Sequence, residues 1–129
     1  MDNRRVVITG VGAVTALGLD TNSTWRGVTN GENGVRAIDH FDASAFSTRF
    51  SASLNGFTTD GYLASRDAKR MDSFIQYGMV AGIQAMRDSG LENTEQNQDR
   101  VGCNVGAGIG GIGLIEKMSL TLDQSGPRK

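Results

Sequence analysis

The sequence contains very little cysteine, histidine or proline, with one of each among its 129 residues. A single cysteine, Cys103, cannot form an internal disulfide. The histidine, His40, stands between Asp39 and Phe41, and no other candidate ligand or nucleophile is near it in the sequence. The sequence therefore predicts no metal site and no bound cofactor, and it favours a structural or surface role for His40.

Charge imbalance and long apolar runs are also absent. The formal net charge is -1, which gives no general attraction to nucleic acid or to an anionic membrane. No apolar run approaches the roughly 18 residues of a membrane-spanning helix, and residues 6–9 are too few for the apolar part of a signal peptide. We expect an ordinary soluble, cytoplasmic domain without a nucleic-acid or membrane partner.

Glycine is abundant, with 18 copies, and it is densest in residues 101–113. A β-prone run there leads into a turn, which we call the glycine turn (residues 106–111), and a helix-compatible segment follows. The turn spells G-x-G-x-x-G, a pattern that can bind a pyrophosphate at a helix N-terminus. The full fingerprint also needs a second strand with an acidic residue about 20 positions later, and only three strand-compatible residues precede Asp123. Close packing of strand and helix explains the glycines better than a dinucleotide does.

The clearest periodic signal predicts a long helix. Its start is marked by Asp72 or Ser73, and Gly90 after Ser89 is a natural stop. Spacings of three and four define an apolar stripe that we expect to be buried: Met71, Phe74, Ile75, Gly78, Met79, Gly82, Ile83 and Met86. Each glycine in it lowers helix propensity by roughly 1 kcal/mol relative to alanine. We therefore expect a neighbouring backbone to lie close to both glycines.

Shorter patterns predict the remaining elements. Residues 4–9 are typical of a central strand covered on both faces, residues 46–54 of an edge strand, and residues 100–105 of a further strand. A first helix should start among residues 20–23 and stop at Gly31. Residues 58–64 are compatible with a short helix.

The order of these pieces resembles the N-terminal part of a β-ketoacyl-acyl-carrier-protein synthase, of the chain-elongating kind in bacterial fatty-acid synthesis. The resemblance covers all 129 residues. The matching blocks are residues 4–10, 23–25, 38–42, 71–78, 88–91, 106–111 and 126–129.

This resemblance implies a thiolase-like α/β fold with a mostly parallel buried sheet and packed helices. Residues 1–129 would form a partial N-terminal β-ketoacyl synthase domain, truncated before the catalytic cysteine. The implied reaction is a decarboxylative Claisen condensation, in which an acyl chain on a cysteine is attacked by the carbanion from malonyl-carrier. The implied partners are acyl- and malonyl-loaded acyl carrier protein and, in the full-length family, a second copy of the chain.

The family's nucleophilic cysteine, two histidines and lysine would all lie beyond Lys129. The resemblance therefore implies no catalytic residue within the sequence, and we expect the 129-residue chain alone to be inactive. Cys103 is not in the family's nucleophile motif, and we expect it to be an inert, buried core residue.

Two functional sites are implied for residues that are present. Ile109 matches the position that opens or closes the acyl pocket, and the pocket wall would be shaped by Gly106, Ala107, Gly108 and Gly110. A second group, which we call the basic cluster, matches a docking patch for the acidic carrier protein: Arg66, Lys69 and Arg70. From the residues alone, Ile109 is also compatible with a core position and the basic cluster with a solvated helix end.

Two other functions remain open from the sequence. A non-catalytic fragment would bind carrier protein or another synthase chain through the basic cluster. A nucleotide-binding oxidoreductase segment would instead hold a nicotinamide cofactor in the glycine turn. The first alternative requires the basic cluster, whereas the second requires a phosphate at the turn.

Overall fold

A computed structural model describes residues 4–127 of the chain. Its elements, in chain order, are α1 (Thr21–Thr29), β1 (Arg36–Ala37), β2 (Phe50–Ser51), α2 (Ser65–Ala68), α3 (Ser73–Ser89) and α4 (Ile112–Ser125), with a short 3-10 turn at Gln98–Arg100. Arg128 and Lys129, which close the last block of the family resemblance, lie outside the described residues.

Helix α3 has the predicted bounds because its two ends carry their own signals. Asp72 is the N-cap, and its Oδ1 accepts the backbone N–H of Ser73 at 2.6 Å. At the other end Gly90 has φ +63, a left-handed conformation that suits glycine at a helix C-terminus. The prediction of a long helix ending at Ser89 is confirmed.

The buried face of α3 is different from the predicted stripe. Val80 and Gln84, one turn apart, are its buried residues, with 2% and 9% of their surface exposed. Ile75, Met79 and Met86, which belong to the predicted stripe, remain about 40% exposed. The prediction that this stripe is buried is therefore wrong for these residues in this part of the chain.

Residues 10–13 lie directly against the backbone of α3. A Cβ atom placed on Gly12 would overlap the carbonyl oxygen of Ala81, and one placed on Gly10 would overlap the carbonyl oxygen of Ala85. Because only hydrogen occupies these two positions, the two backbones can approach this closely. The close backbone contact that we expected on the glycines of α3 is made instead by glycines of the segment that faces the helix.

Two side chains of α3 hold this segment in place. The backbone N–H of Val11 donates to Asp88 Oδ2 at 2.9 Å, and that of Ala13 donates to Gln84 Oε1 at 3.1 Å. The Nε2 of Gln84 also donates to the carbonyl oxygen of Leu19 at 2.7 Å. These bonds satisfy both ends of the buried Gln84 amide, as a buried polar group requires.

The two glycines of α3 have different surroundings. A Cβ on Gly78 would lie 3.3 Å from Val105 Cγ1, whereas a Cβ on Gly82 would meet no atom within 4 Å. The neighbour of Gly78 is thus a side chain, and among the described residues Gly82 has no close neighbour. The prediction of a backbone against both glycines is wrong.

The sheet is smaller than predicted, and it is antiparallel. β1 pairs with β2 with Arg36 opposite Ser51 and Ala37 opposite Phe50, and these are the only paired strands that residues 4–127 form. Residues 4–9 and 101–105 form no strand. The side chains of Val6 and Ile8 are 85% and 88% exposed. A mostly parallel buried sheet is not found in the described chain, because no other segment there supplies hydrogen-bond partners for these residues.

Helix α1 matches its prediction, since its signals are local. Asp20 and Ser23 form a reciprocal capping box, and Gly31 follows the helix with φ +67. The main cause that lowers the pKa of Asp20 is the hydrogen bond that its carboxylate accepts from the Ser23 backbone. α1 is therefore stabilised by the ionised form of Asp20.

Two other local predictions differ from the structure. The predicted edge strand is reduced to Phe50–Ser51, and its half-buried side carries Ser51 and Ser53, whose hydroxyl groups are 2.7 Å apart, while Phe50 is exposed. The short helix predicted for residues 58–64 is a turn, and helix α2 begins only at Ser65. Within residues 58–64, Gly61 has φ +77, a left-handed conformation that a helix does not continue through.

The described chain has a small core. Only Ala43, Ala68 and Val80 are buried hydrophobic residues in the range 4–127, while most large apolar side chains are exposed. None of the helices within these residues is both long and apolar enough to cross a membrane. Because little apolar surface is buried, the hydrophobic stabilisation of residues 4–127 by themselves is modest.

Candidate functional site

The glycine turn ends in two residues with left-handed backbone conformations. Gly110 has φ +60 and Gly111 has φ +58, and Gly111 is the N-cap of α4. A Cβ on Gly110 would come within 2.8 Å of the Phe74 ring. Both the backbone angles and the aromatic ring therefore favour glycine at the end of the turn.

An apolar groove separates the first turns of α3 from residues 105–107. Its volume is about 490 Å³, which is within the usual size range of ligand pockets. Its lining residues are Phe74, Ile75, Tyr77, Gly78, Met79, Val105, Gly106 and Ala107. Since almost every lining group is apolar, the groove is suited to a hydrocarbon chain and offers little to a phosphate.

The structure brings together only part of the predicted pocket wall. Gly106 and Ala107 line the groove, and Gly110 lies on the Phe74 ring. Gly108 and Ile109 are exposed and do not line the groove, and Ile109 is 75% exposed. The alternative that Ile109 is a core residue is wrong for the described chain, whereas its role as a gate stays a prediction.

The opposite wall of the groove was not identified as a site from the sequence. Phe74, Ile75 and Met79 belong to the helical stripe that we expected to be plain core, and Val105 belongs to the expected strand. The available signal was Gly78, whose missing side chain leaves room between α3 and Val105. That signal predicts close packing, but it does not say that a groove remains beside it.

Cys103 is a free, exposed cysteine, so the prediction that it is buried is wrong. Residues 101–109 are all exposed, because the described chain covers this segment from the side of α3 only. No group of three potential ligands from His, Cys, Asp and Glu is close enough to hold a metal ion anywhere in residues 4–127.

The basic cluster is exposed and is attached to the start of α3. All three of its side chains are at the surface, and Arg66 makes only a loose ion pair with Asp67 at 3.9 Å. The side-chain amide of Gln76 donates to the carbonyl oxygens of Ala68 and Met71 at 2.9 and 3.0 Å. Through these bonds α2, which carries Arg66, is held by the same turns of α3 that line the groove.

The sequence matches the family described as "Beta-ketoacyl synthase, N-terminal domain" over residues 3–129. It is 49% identical over 129 residues to a 3-oxoacyl-[acyl-carrier-protein] synthase 2 from Vibrio harveyi. Proteins of the same name from Vibrio cholerae and Coxiella burnetii are 47% and 43% identical over the same length. In all three alignments the whole chain is covered, but it spans only 31% of the relative's length.

A solved structure described as "The ishigamide ketosynthase/chain length factor" is similar in fold, with a TM-score of 0.62. It is 28% identical in sequence, and the similarity covers 69% of this chain and 22% of the other. About two thirds of this chain therefore has a counterpart in the fold of that structure.

Proposed function

The chain belongs to the β-ketoacyl synthase family, and we propose that it supplies part of the acyl pocket and the carrier-protein docking patch of a 3-oxoacyl-acyl-carrier-protein synthase. The proposed activity of the whole synthase is decarboxylative Claisen condensation in fatty-acid elongation. Its proposed partners are acyl- and malonyl-loaded carrier protein, and a second copy of the synthase in a homodimer.

The contribution of this chain to the reaction is binding rather than bond making. Condensation needs a thiolate nucleophile, donors for the oxyanion and groups that stabilise the enolate. The sequence holds one cysteine and one histidine. His40 lies at the surface, where its ring is 3.8 Å from the Asp39 carboxylate and packs edge-on against the Phe41 ring. We therefore propose that the 129-residue chain alone does not catalyse condensation.

The observation that carries the proposal is the apolar groove between α3 and the glycine turn. An acyl tail is stabilised by about 0.8 kcal/mol for each buried CH₂ group, and a lining of apolar side chains and glycines provides that burial. We propose that the pocket wall comprises Gly106, Ala107, Gly108, Ile109 and Gly110, with Ile109 as its movable gate. The glycines on both sides of Ile109 let its backbone move without displacing neighbouring side chains.

The basic cluster is the proposed contact for the acidic carrier protein. Arg66, Lys69 and Arg70 present three positive charges at the surface, and complementary charge speeds and orients protein association. Because Gln76 connects α2 to α3, a carrier protein docked there would be held next to the helix that lines the groove.

We also propose that residues 1–129 are part of a thiolase-like domain with a mostly parallel buried sheet. The exposed β-branched residues Val6, Val7 and Ile8, together with residues 101–105, are suited to pair with strands of such a sheet. The observation that supports this proposal is that neither segment has a pairing partner within residues 4–127.

A fluorescent fatty-acyl probe tests the groove directly. Probe binding should follow apolar burial, and Ala107→Glu should weaken it by placing a carboxylate in the groove wall. Asn104→Glu is the matched control, because Asn104 is also exposed and lies on the same segment but does not line the groove. Equal probe affinity for both variants and the wild type would contradict the proposal.

The same protein can be titrated with a nicotinamide dinucleotide. The fingerprint for such a cofactor requires a parallel β-α-β unit, and residues 4–127 contain no parallel strand pair. We expect no binding, and saturable binding that a Gly110 substitution abolishes would favour the oxidoreductase alternative instead.

A further inference from the structure

The amino end of α4 lacks a capping side chain of its own. Its N-cap is Gly111, and no side chain of that residue can accept a hydrogen bond from the helix. The first backbone N–H groups of a helix have no acceptor within the helix, so those of Ile112 and Gly113 need one from another part of the protein. Whatever supplies that acceptor also fixes the position of the glycine turn.

Asp72 brings a carboxylate to this place from the start of α3. Its Oδ1 accepts the Ser73 backbone N–H, but its Oδ2 is buried and has no hydrogen-bond partner within the described chain. That same Oδ2 is the nearest atom to the position where a Cβ of Gly111 would stand, at 3.1 Å. A buried carboxylate oxygen without a donor is unfavourable, and donors without acceptors lie beside it.

The surroundings of Asp72 favour an acceptor role. The positive ends of two helix dipoles, those of α3 and α4, lie next to its negative charge, and each stabilises a carboxylate at a helix N-terminus. The ring of Phe74 is 3.3 Å from the same Cβ position of Gly111, so it covers the other side of the turn. A side chain at position 111 would push the carboxylate and the turn apart.

We propose that Asp72 is a positioning residue that caps two helices at once and thereby fixes the glycine turn. Oδ1 caps α3, and a rotation of the carboxylate brings Oδ2, which has no hydrogen-bond partner within the described chain, to the first N–H groups of α4. This inference rests on the proposed function in one respect only: if the turn is the acyl gate, Asp72 sets the position to which the gate returns.

Amide hydrogen exchange of the 129-residue chain, resolved by residue, tests the proposal. Asp72→Ser is the decisive variant, because serine is also a strong N-cap for α3 but provides only one side-chain oxygen. We expect exchange at residues 111–114 to become about tenfold faster, the change expected for losing one charge-assisted hydrogen bond, while exchange in α3 stays unchanged. Asp72→Asn should lose the protection as well, because its one side-chain oxygen can cap only one helix and its NH₂ group donates but does not accept.

Asp88→Asn is the matched control, since Asp88 is a carboxylate on the same helix that accepts the Val11 N–H far along the chain from the turn. It should change exchange at Val11 and leave residues 111–114 unaffected. Unchanged exchange at residues 111–114 in Asp72→Ser would overturn the proposal, as would faster exchange throughout α3, which would assign Asp72 to α3 alone. The measurement uses no acyl ligand, so its failure is distinguishable from a failure of the acyl probe to bind.

Discussion

Replacing Gly12 by alanine tests how residues 10–13 are held on α3. The new Cβ would overlap the carbonyl oxygen of Ala81, so the segment must move away from the helix. That movement lengthens the hydrogen bonds from Val11 to Asp88 and from Ala13 to Gln84, which are now 2.9 and 3.1 Å. Losing one charge-assisted and one neutral hydrogen bond is worth about 2–4 kcal/mol of unfolding free energy.

Gly82→Ala is the control for this experiment. A Cβ at Gly82 meets no atom within 4 Å, so the variant should gain about 1 kcal/mol from improved helix propensity. Urea unfolding followed by far-ultraviolet circular dichroism measures both changes. Total stabilities of small domains are about 5–15 kcal/mol, so shifts of opposite sign are easily resolved.

Unfolding of Gly12→Ala at the same urea concentration as the wild type would show that the close contact of Gly12 with α3 does not limit stability. Shifts of stability in the same direction and by similar amounts in Gly12→Ala and Gly82→Ala would lead to the same conclusion. Gly10→Ala should behave like Gly12→Ala, because its Cβ would overlap the carbonyl oxygen of Ala85.

Three further predictions concern the groove, α1 and the basic cluster. Gly78→Leu should lower stability by about 1–3 kcal/mol through overpacking, since a Cβ there is already 3.3 Å from Val105 Cγ1. Gly82→Leu is the control and should not have this effect. Equal urea midpoints for the two variants would contradict the packing of Val105 on Gly78. Asp20→Ala should cost about 1 kcal/mol at neutral pH by removing the α1 cap. Because the pKa of Asp20 is lowered below its ordinary 3.8, the stability that the wild type has over Asp20→Ala is complete above pH 3.8 and is lost as pH falls through the lowered pKa. A pH titration of α1 helicity by nuclear magnetic resonance checks this. A stability difference that persists in strong acid would contradict it. Arg66→Glu should weaken carrier-protein binding about fivefold, corresponding to the ~1 kcal/mol of an exposed ion pair. Calorimetric titration measures this, with Arg36→Glu on β1 as the control. Equal losses of affinity for both variants would indicate general charge attraction instead of a docking patch.

The bounds of α1 and α3 could be predicted because their signals lie within a few residues of each end. Asp20 and Gly31 flank one helix, while Asp72 and Gly90 flank the other. Capping depends on local hydrogen bonds and on the backbone freedom of glycine, and both are visible in a sequence. Tertiary contacts are not needed to place such ends.

The buried face of α3 could not be predicted in the same way. It depends on a segment more than 70 positions earlier, since the bonds to Val11 and Ala13 span 77 and 71 residues. Several faces of α3 carry apolar side chains, so periodicity alone cannot say which of them that segment covers. A strand at residues 4–9 would likewise need a distant partner, which residues 4–127 do not supply, and the sequence pattern shows only that these residues suit a strand.

Of the two walls of the groove, only the one formed by the glycine turn could be predicted from the sequence. Glycine density located residues 106–111, and the family resemblance gave them a role. The second wall arises where Phe74 and Met79 on α3 meet Val105, which requires the docking of two segments that no local pattern connects. The same docking places Asp72 beside Gly111.

We propose that the glycine turn and α3 together enclose an acyl chain, and photo-crosslinking can locate that chain on the protein. A carrier-protein-linked fatty acyl chain with a diazirine at its far end would be irradiated with the protein, and the adducts located by mass spectrometry. We expect adducts within residues 74–79 and 105–107, where the residues that line the groove lie. Adducts found only elsewhere on the chain would contradict it.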